Sequence, residues 1–185
     1  KVKMLSGHGF FEKFFGEENR QFGQRAYPAG SGNERHDIPS LYFCDGPRGA
    51  RHERNTTCFP VTMARGATWD RDIERRVGEA IAIEARALGA SISGAVCINL
   101  LRHPAWGRAQ ETYGEDPVHL GEMGAALTEG LQTHNIIATA KHFAVNSIEN
   151  SRFKVDVRVT DRALHEVYLP HFKRVLMSGC ASVMS

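Results

Sequence analysis

Apolar residues in this chain come either in short unbroken runs or in longer stretches with one apolar face, and the two patterns alternate. Leu41-Tyr42-Phe43-Cys44 is a short run that stops at Asp45-Gly46-Pro47-Arg48-Gly49, the signature of a buried strand entering a turn. Beyond Asp70, Ile73, Val77, Ala80, Ile81 and Leu88 repeat at helical spacing. Asp70 is placed to cap that helix and Gly89 to stop it. Ile92 to Leu101 contains a second strand, and a polar loop runs from Arg102 to Asp116. Pro117 opens a helix that points Leu120, Met123, Leu127 and Leu131 inward. Ile136 to Ala140 is a third strand, and Val155 to Thr160 alternates as a hairpin or side strand would. A helix capped by Asp161 carries Leu164, Val167, Tyr168, Phe172, Val175 and Leu176, with a kink or break at Pro170 and a stop at Gly179. Ala181 to Met184 begins a fourth strand. Ahead of all this, residues 1–40 are irregular: Phe10, Phe11, Phe14 and Phe15 have helical spacing, and Ala29-Gly30-Ser31-Gly32-Asn33 reads as a loop.

Strands alternating with helices predict parallel βαβ units, buried on both faces. Doubly wound sheets and eight-stranded barrels both satisfy that order. The first three strands each end in a polar segment, beginning at Asp45, Arg102 and Lys141. Barrel active sites are built at the C-terminal ends of strands. The Gly-x-Gly-x-x-Gly turn of a dinucleotide fold is absent. The expectation is an α/β fold, the first half of a (β/α)8 TIM-type barrel, truncated. Residues 1–40 form its lead-in and residues 41–185 its first part. Four strands leave two open sheet edges. Val96, Ile98, Ile137 and Val183 are expected to face inward and lack neighbours, so residues 1–185 alone are expected to be poorly stable and inactive. Ser185, directly after an apolar strand, reads as a cut within a longer protein.

Composition narrows the classes. The chain has 185 residues, 42% hydrophobic and 24% charged, with 23 basic and 21 acidic residues mixed along it. That mixing argues against a nucleic-acid binder. No stretch approaches the roughly 18 apolar residues of a membrane helix. Cys44, Cys58, Cys97 and Cys180 form no Cys-x-x-Cys pair, which excludes the common zinc and redox motifs. Three of them sit in or beside apolar runs as small hydrophobes, and with no signal peptide visible this weakly favours the cytoplasm. No metal or cofactor is expected. His165-Glu166 lacks the second His of a zinc-protease helix, and neither a Gly-x-Ser-x-Gly elbow nor a phosphate loop occurs.

Three clusters carry candidate chemistry. Asp45 at a strand end can accept hydrogen bonds from two neighbouring hydroxyls of one sugar, a contact that selects a polyol because a missing hydroxyl leaves a buried group unpaired. The plainer reading is a capped turn. In the segment Arg102–Pro117, Trp106 would stack on a sugar face and Arg108 would donate to hydroxyls. Glu111, Glu115 and Asp116 would instead hold the arginines or favour the following helix start. Lys141-His142-Phe143 is followed by Asn146, Glu149 and Arg152. Adjacent strand residues point to opposite faces, so Lys141 and His142 both line a pocket only if the strand bends or ends there.

Asp-Gly-Pro-Arg-Gly at 45–49, Phe-Pro at 59–60, Ala-Thr-Trp-Asp at 67–70 and Gly-Arg-Ala-Gln-Glu-Thr-Tyr-Gly-Glu-Asp-Pro at 107–117 occur in that order. Lys-His-Phe-Ala-Val-Asn at 141–146 and Val-Met-Ser at 183–185 complete the set. From about Leu5 onward, this set resembles the N-terminal barrel domain of family 3 glycoside hydrolases, the β-glucosidase group. The resemblance implies that Asp45, Arg51, Arg108, Lys141 and His142 bind the sugar of the innermost subsite, with Arg51 added by the resemblance alone. Trp106, Glu111 and Arg152 are supporting candidates. It further implies a retaining O-glycosyl hydrolase whose aspartate nucleophile and glutamate acid/base lie beyond Ser185. Its partners would be a β-glycoside substrate and the rest of its own polypeptide. The hexosaminidase branch carries a Gly/His-rich loop after Lys-His, whereas Phe143-Ala144-Val145-Asn146 stands here, so glucosides or xylosides are the expected substrates. Asn146-Ser147-Ile148-Glu149 departs from the commoner family pattern of Gln before Glu. The alternative is a non-catalytic, sugar-binding or regulatory relic of the same barrel.

Overall fold

A computed structural model describes residues 26–52 and 54–185; the helical spacing at Phe10–Phe15 lies outside them. The elements run β1 (Tyr27–Gly30), β2 (Leu41–Cys44), α1 (Thr62–Gly66), α2 (Arg71–Ala87), β3 (Ile92–Cys97), α3 (Pro117–Thr133), β4 (Ile137–Lys141), α4 (Asp161–Ala163), α5 (Pro170–Met177) and β5 (Ser182–Met184). One sheet carries the strands in the order β1-β2-β3-β4-β5. The β1–β2 pair is antiparallel, and every later pair is parallel. Parallel neighbours in unbroken chain order are what a barrel requires, since a doubly wound sheet reverses direction at a switch point.

The side chains divide the sheet into two faces. Cys44, Val96, Ile98, Ala138 and Ala140 join Ile81, Leu120, Met123, Leu127, Leu131, Phe172 and Val175 in one core between strands and helices. By alternation, Phe43, Asp45, Cys97, Thr139 and Lys141 lie on the opposite face. Val96 and Ile98 were expected on that inner face. They belong to the helical side and are already 0% exposed, so they lack no neighbours. Val183 is 39% exposed, beside the open edge of β5.

Asp70 caps α2 as expected, accepting hydrogen bonds from the amides of Asp72 and Ile73, and Asp116, placed by the sequence only where negative charge favours a helix start, caps α3 through His119 N–H. At the third, Thr160 rather than Asp161 is the N-cap, accepting from Ala163 N–H. Pro170 does break that helix: a π-helical turn spans Leu164–Tyr168 before α5 restarts at Pro170. The apolar spacing of α2 holds for Ile81, which is buried, and for Val77 and Leu88, which pack against the core, but Ile73 is 41% exposed and Glu74, Gly78, Ala82 and Ala85 complete the buried face. Residues 155–160 are not a strand, and Ala29–Gly30 belong to β1 rather than to a loop. Among the described residues no helix is long and apolar enough to cross a membrane. All four cysteines are free, and Cys44 and Cys97 are buried.

Candidate functional site

β2, β3 and β4 end at the same edge of the sheet, and their C-terminal residues build the site. After β2 the chain turns through Gly46 and Gly49, both at φ +134. A Cβ at either would strike a carbonyl oxygen, that of Gly49 at 1.8 Å or that of Thr57 at 2.1 Å, so this tight loop demands glycine. The turn folds back on Asp45: its carboxylate accepts from Gly46 N–H at 2.9 Å and its carbonyl from Arg51 N–H at 2.8 Å. Beneath it, Arg65 donates to the carbonyls of Pro47 and Pro60 at 2.9 and 3.0 Å. Arg65 pairs with Glu74 at 2.9 Å, and both side chains are buried. Tyr113 donates to the same Glu74 carboxylate at 2.6 Å. Burial, reinforced by the Glu74 carboxylate, pushes the Tyr113 phenol well above its usual pKa, so it stays a neutral donor. This network ties the loop after β2 to the loop after β3.

Lys141, the last residue of β4, is 2% exposed and reaches across β3 to place Nζ 2.8 Å from Asp45 Oδ1. The Asp45 side chain stays 35% exposed, with its carboxylate open to the cavity. Burial pulls the Asp45 carboxyl upward, but the Lys141 ammonium and hydrogen bonds outweigh it and hold the pKa below its ordinary value. Asp45 is therefore an anion at neutral pH.

β4 ends at Lys141, as the pocket reading required, and the Lys141–His142 and Phe143–Ala144 peptides are cis. His142 is held by Asn99, a residue the sequence reading passed over. Asn99 Oδ1 accepts from His142 N–H at 3.0 Å and contacts Nδ1 at 2.9 Å. The Asn99 amide nitrogen donates to Asn146 O at 2.6 Å. An amide oxygen only accepts, so Nδ1 carries the proton and Nε2 the lone pair. Nε2 in turn lies 3.1 Å from Arg108 Nη1, a pure donor. Burial, then the Arg108 and Lys141 charges, push the imidazole down to about 3, so His142 is neutral through the physiological range. Arg108 also forks onto Glu111 at 2.8 and 2.7 Å, which confirms Glu111 as its holder.

These residues line a cavity of about 660 Å³ that contains Asp45, Arg108, Lys141, His142 and Arg152, with Tyr27 and Met184 at its sides. A second open cavity of about 590 Å³ shares Asp45, Arg108 and Arg152 and adds Arg51 and Glu111. Of the expected sugar-binding residues, Asp45, Arg108, Lys141 and His142 therefore converge. Arg51 lines the adjoining space with an exposed side chain. Arg152 pairs with Glu149 at 3.2 Å on the rim. Trp106 departs from expectation: it is 6% exposed, lines neither cavity and keeps Nε1 buried without a partner, so it offers no stacking face. Asn99 left no signal because a single Asn at a strand end resembles any turn residue.

A buried cation, a partly exposed anion, a guanidinium and a neutral imidazole, gathered at strand C-termini, bring hydrogen-bond donors and an anionic acceptor to one cavity. That site and half-barrel define the class, and the chain belongs to glycosyl hydrolase family 3: the family's N-terminal domain matches residues 12–185. It is 35% identical to β-glucosidase B of Emericella nidulans over 94% of this chain and 19% of that protein. To a β-glucosidase of Rhizobium radiobacter it is 38% identical over 82% of this chain and 19% of the relative. Among solved structures, Thermotoga neapolitana β-glucosidase 3B in complex with glucose superposes with TM-score 0.83 at 34% identity, over 95% of this chain and 26% of that one. DesR, a β-glucosidase from Streptomyces venezuelae in complex with D-glucose, gives 0.82 at 33%, over 88% of this chain and 21% of that one. The chain thus spans about a fifth of the length of the curated relatives it matches.

Proposed function

We propose that the whole polypeptide hydrolyses β-linked glucosides or xylosides with retention of configuration, and that residues 41–185 supply the hydroxyl-binding part of its site. The observation that carries this reading is the Asp45–Lys141 pair at 2.8 Å, backed by Arg108 and His142 around one cavity. An anionic acceptor flanked by fixed donors engages vicinal hydroxyls in both directions, and charged groups make the stronger hydrogen bonds. Arg51 takes the outer side of the same sugar. The nucleophile and the acid/base are carboxylates beyond Ser185, about 5–5.5 Å apart as retention demands. Without them residues 1–185 bind sugar weakly or not at all and do not turn it over. The reading is supported by the family match and by relatives named as β-glucosidases. Proton NMR of the first-formed sugar from an aryl β-glucoside tests it: a β-anomer is expected, and an α-anomer contradicts retention. Full-length protein that binds glucose yet cleaves no aryl β-glycoside would instead mark a sugar-binding relic.

A further inference from the structure

We propose that Asn99 is a positioning residue for sugar binding: its side-chain amide locks His142 as the Nδ1–H tautomer, so that Nε2 turns its lone pair towards Arg108. This rests on the sugar-binding reading of the pocket, and it adds a residue that touches no sugar.

Hydrogen bonds at three of its atoms make Asn99 a clamp. Its Oδ1 takes both His142 N–H and Nδ1–H, fixing backbone and ring together. Its Nδ2 donates to Asn146 O at 2.6 Å, which orients the amide so that oxygen, not nitrogen, faces the ring. Its own carbonyl accepts from Thr112 Oγ1 at 2.5 Å. Asn99 is 3% exposed, so water cannot substitute for these contacts. The clamp therefore joins the loop after β3, which carries Arg108, to the segment after β4, which carries His142.

The charges around the ring explain why an amide suits this position. Arg108 from the loop after β3, Lys141 from β4 and Arg152 from the segment after β4 all disfavour an imidazolium, and Asp45 from the turn after β2 opposes them. Glu111 and Glu149 pair with Arg108, and the Cys97 thiol from β3 lies 3.4 Å from Asn99 Oδ1. A carboxylate at position 99 would sit where the amide oxygen now contacts Nδ1, at 2.9 Å, and would favour the doubly protonated ring. Nε2 would then be a donor facing the Arg108 donor, and the pair that shapes the pocket would separate.

Asn99→Asp in the full-length protein tests this, with glucose as the probe and its Kd measured by calorimetry from pH 5 to 8. The variant is expected to bind glucose within a few-fold of wild type at pH 8. It should lose at least about tenfold towards pH 5, as the imidazole gains a proton near its ordinary range of about 6.5. Wild type should lack that acid limb. Asn99→Ala, which frees the ring without adding charge, is expected to weaken binding about tenfold at every pH without a new limb. The proposal is overturned if Asn99→Asp tracks wild type across the range. It is overturned equally if both variants lose affinity in parallel at all pH values, which is the mark of a merely structural role. Wild type that binds glucose with no turnover would sink the hydrolase reading, while the pH dependence would still decide the role of Asn99. Wild type that does not bind glucose overturns both.

Discussion

Breaking the Asp45–Lys141 pair from its two ends should have unequal consequences. Asp45→Asn strands the Lys141 ammonium, which is 2% exposed, beside a neutral amide. Removing one member of a buried pair leaves an uncompensated charge and should cost roughly 3–5 kcal/mol. Lys141→Met leaves Asp45, which is 35% exposed and retains its Gly46 N–H bond at 2.9 Å. A carboxylate with that much access to water rehydrates, so the loss should be on the order of 1 kcal/mol, the scale of exposed pairs. Urea unfolding of the full-length polypeptide at pH 7, following the barrel transition, measures both variants. In the wild type, the lowered Asp45 pKa contributes stability above its ordinary value of 3.8, and that stability is lost as pH falls below it. Equal penalties, or a larger one for Lys141→Met, would refute the reasoning.

Two further variants probe the supports of the site. Glu74→Ala leaves buried Arg65 with carbonyl partners only and Tyr113 without its acceptor. It should cost about 3–5 kcal/mol, read in a thermal melt as a fall in barrel-domain Tm of at least about 6 °C, and an unchanged Tm would show the network to be dispensable. Arg108→Lys cannot fork onto Glu111 while also meeting His142. It should raise KM for an aryl β-glucoside at least about tenfold with little change in Tm, and a wild-type KM would remove Arg108 from the sugar site.

Much of this was legible in the sequence, and the failures have common physical roots. Strand and helix order, the Pro170 break and the convergence of Asp45, Arg108, Lys141 and His142 followed from periodicity, turn residues and ordered motifs. The buried face of α2 followed in part: Ile81, Val77 and Leu88 mark it, but the aliphatic Ile73 is left at the surface and Glu74, Gly78, Ala82 and Ala85 complete it. Hydrophobic periodicity does not mark a glycine or a carboxylate neutralised by Arg65. Val96 and Ile98 were assigned to the wrong side of β3 because its pairing register shifts between Ser93 and Val96, and a one-residue slip exchanges the faces. Trp106 was given a stacking role from its residue type alone, yet packing took it inside. Asn99 and the Arg65–Glu74–Tyr113 network act through contacts between residues far apart in sequence, which no local pattern encodes.

The central claim is that the loop after β2 is a sugar-binding element and not simply a turn. Asp45→Ala in the full-length enzyme, assayed as kcat/KM on an aryl β-glucoside, addresses it most directly. Losing two charged hydrogen bonds to sugar hydroxyls, at roughly 1.5–3 kcal/mol each, should lower kcat/KM by two or more orders of magnitude. A fall of less than about tenfold, or roughly 1.4 kcal/mol, would contradict the account and leave Asp45 as a turn residue.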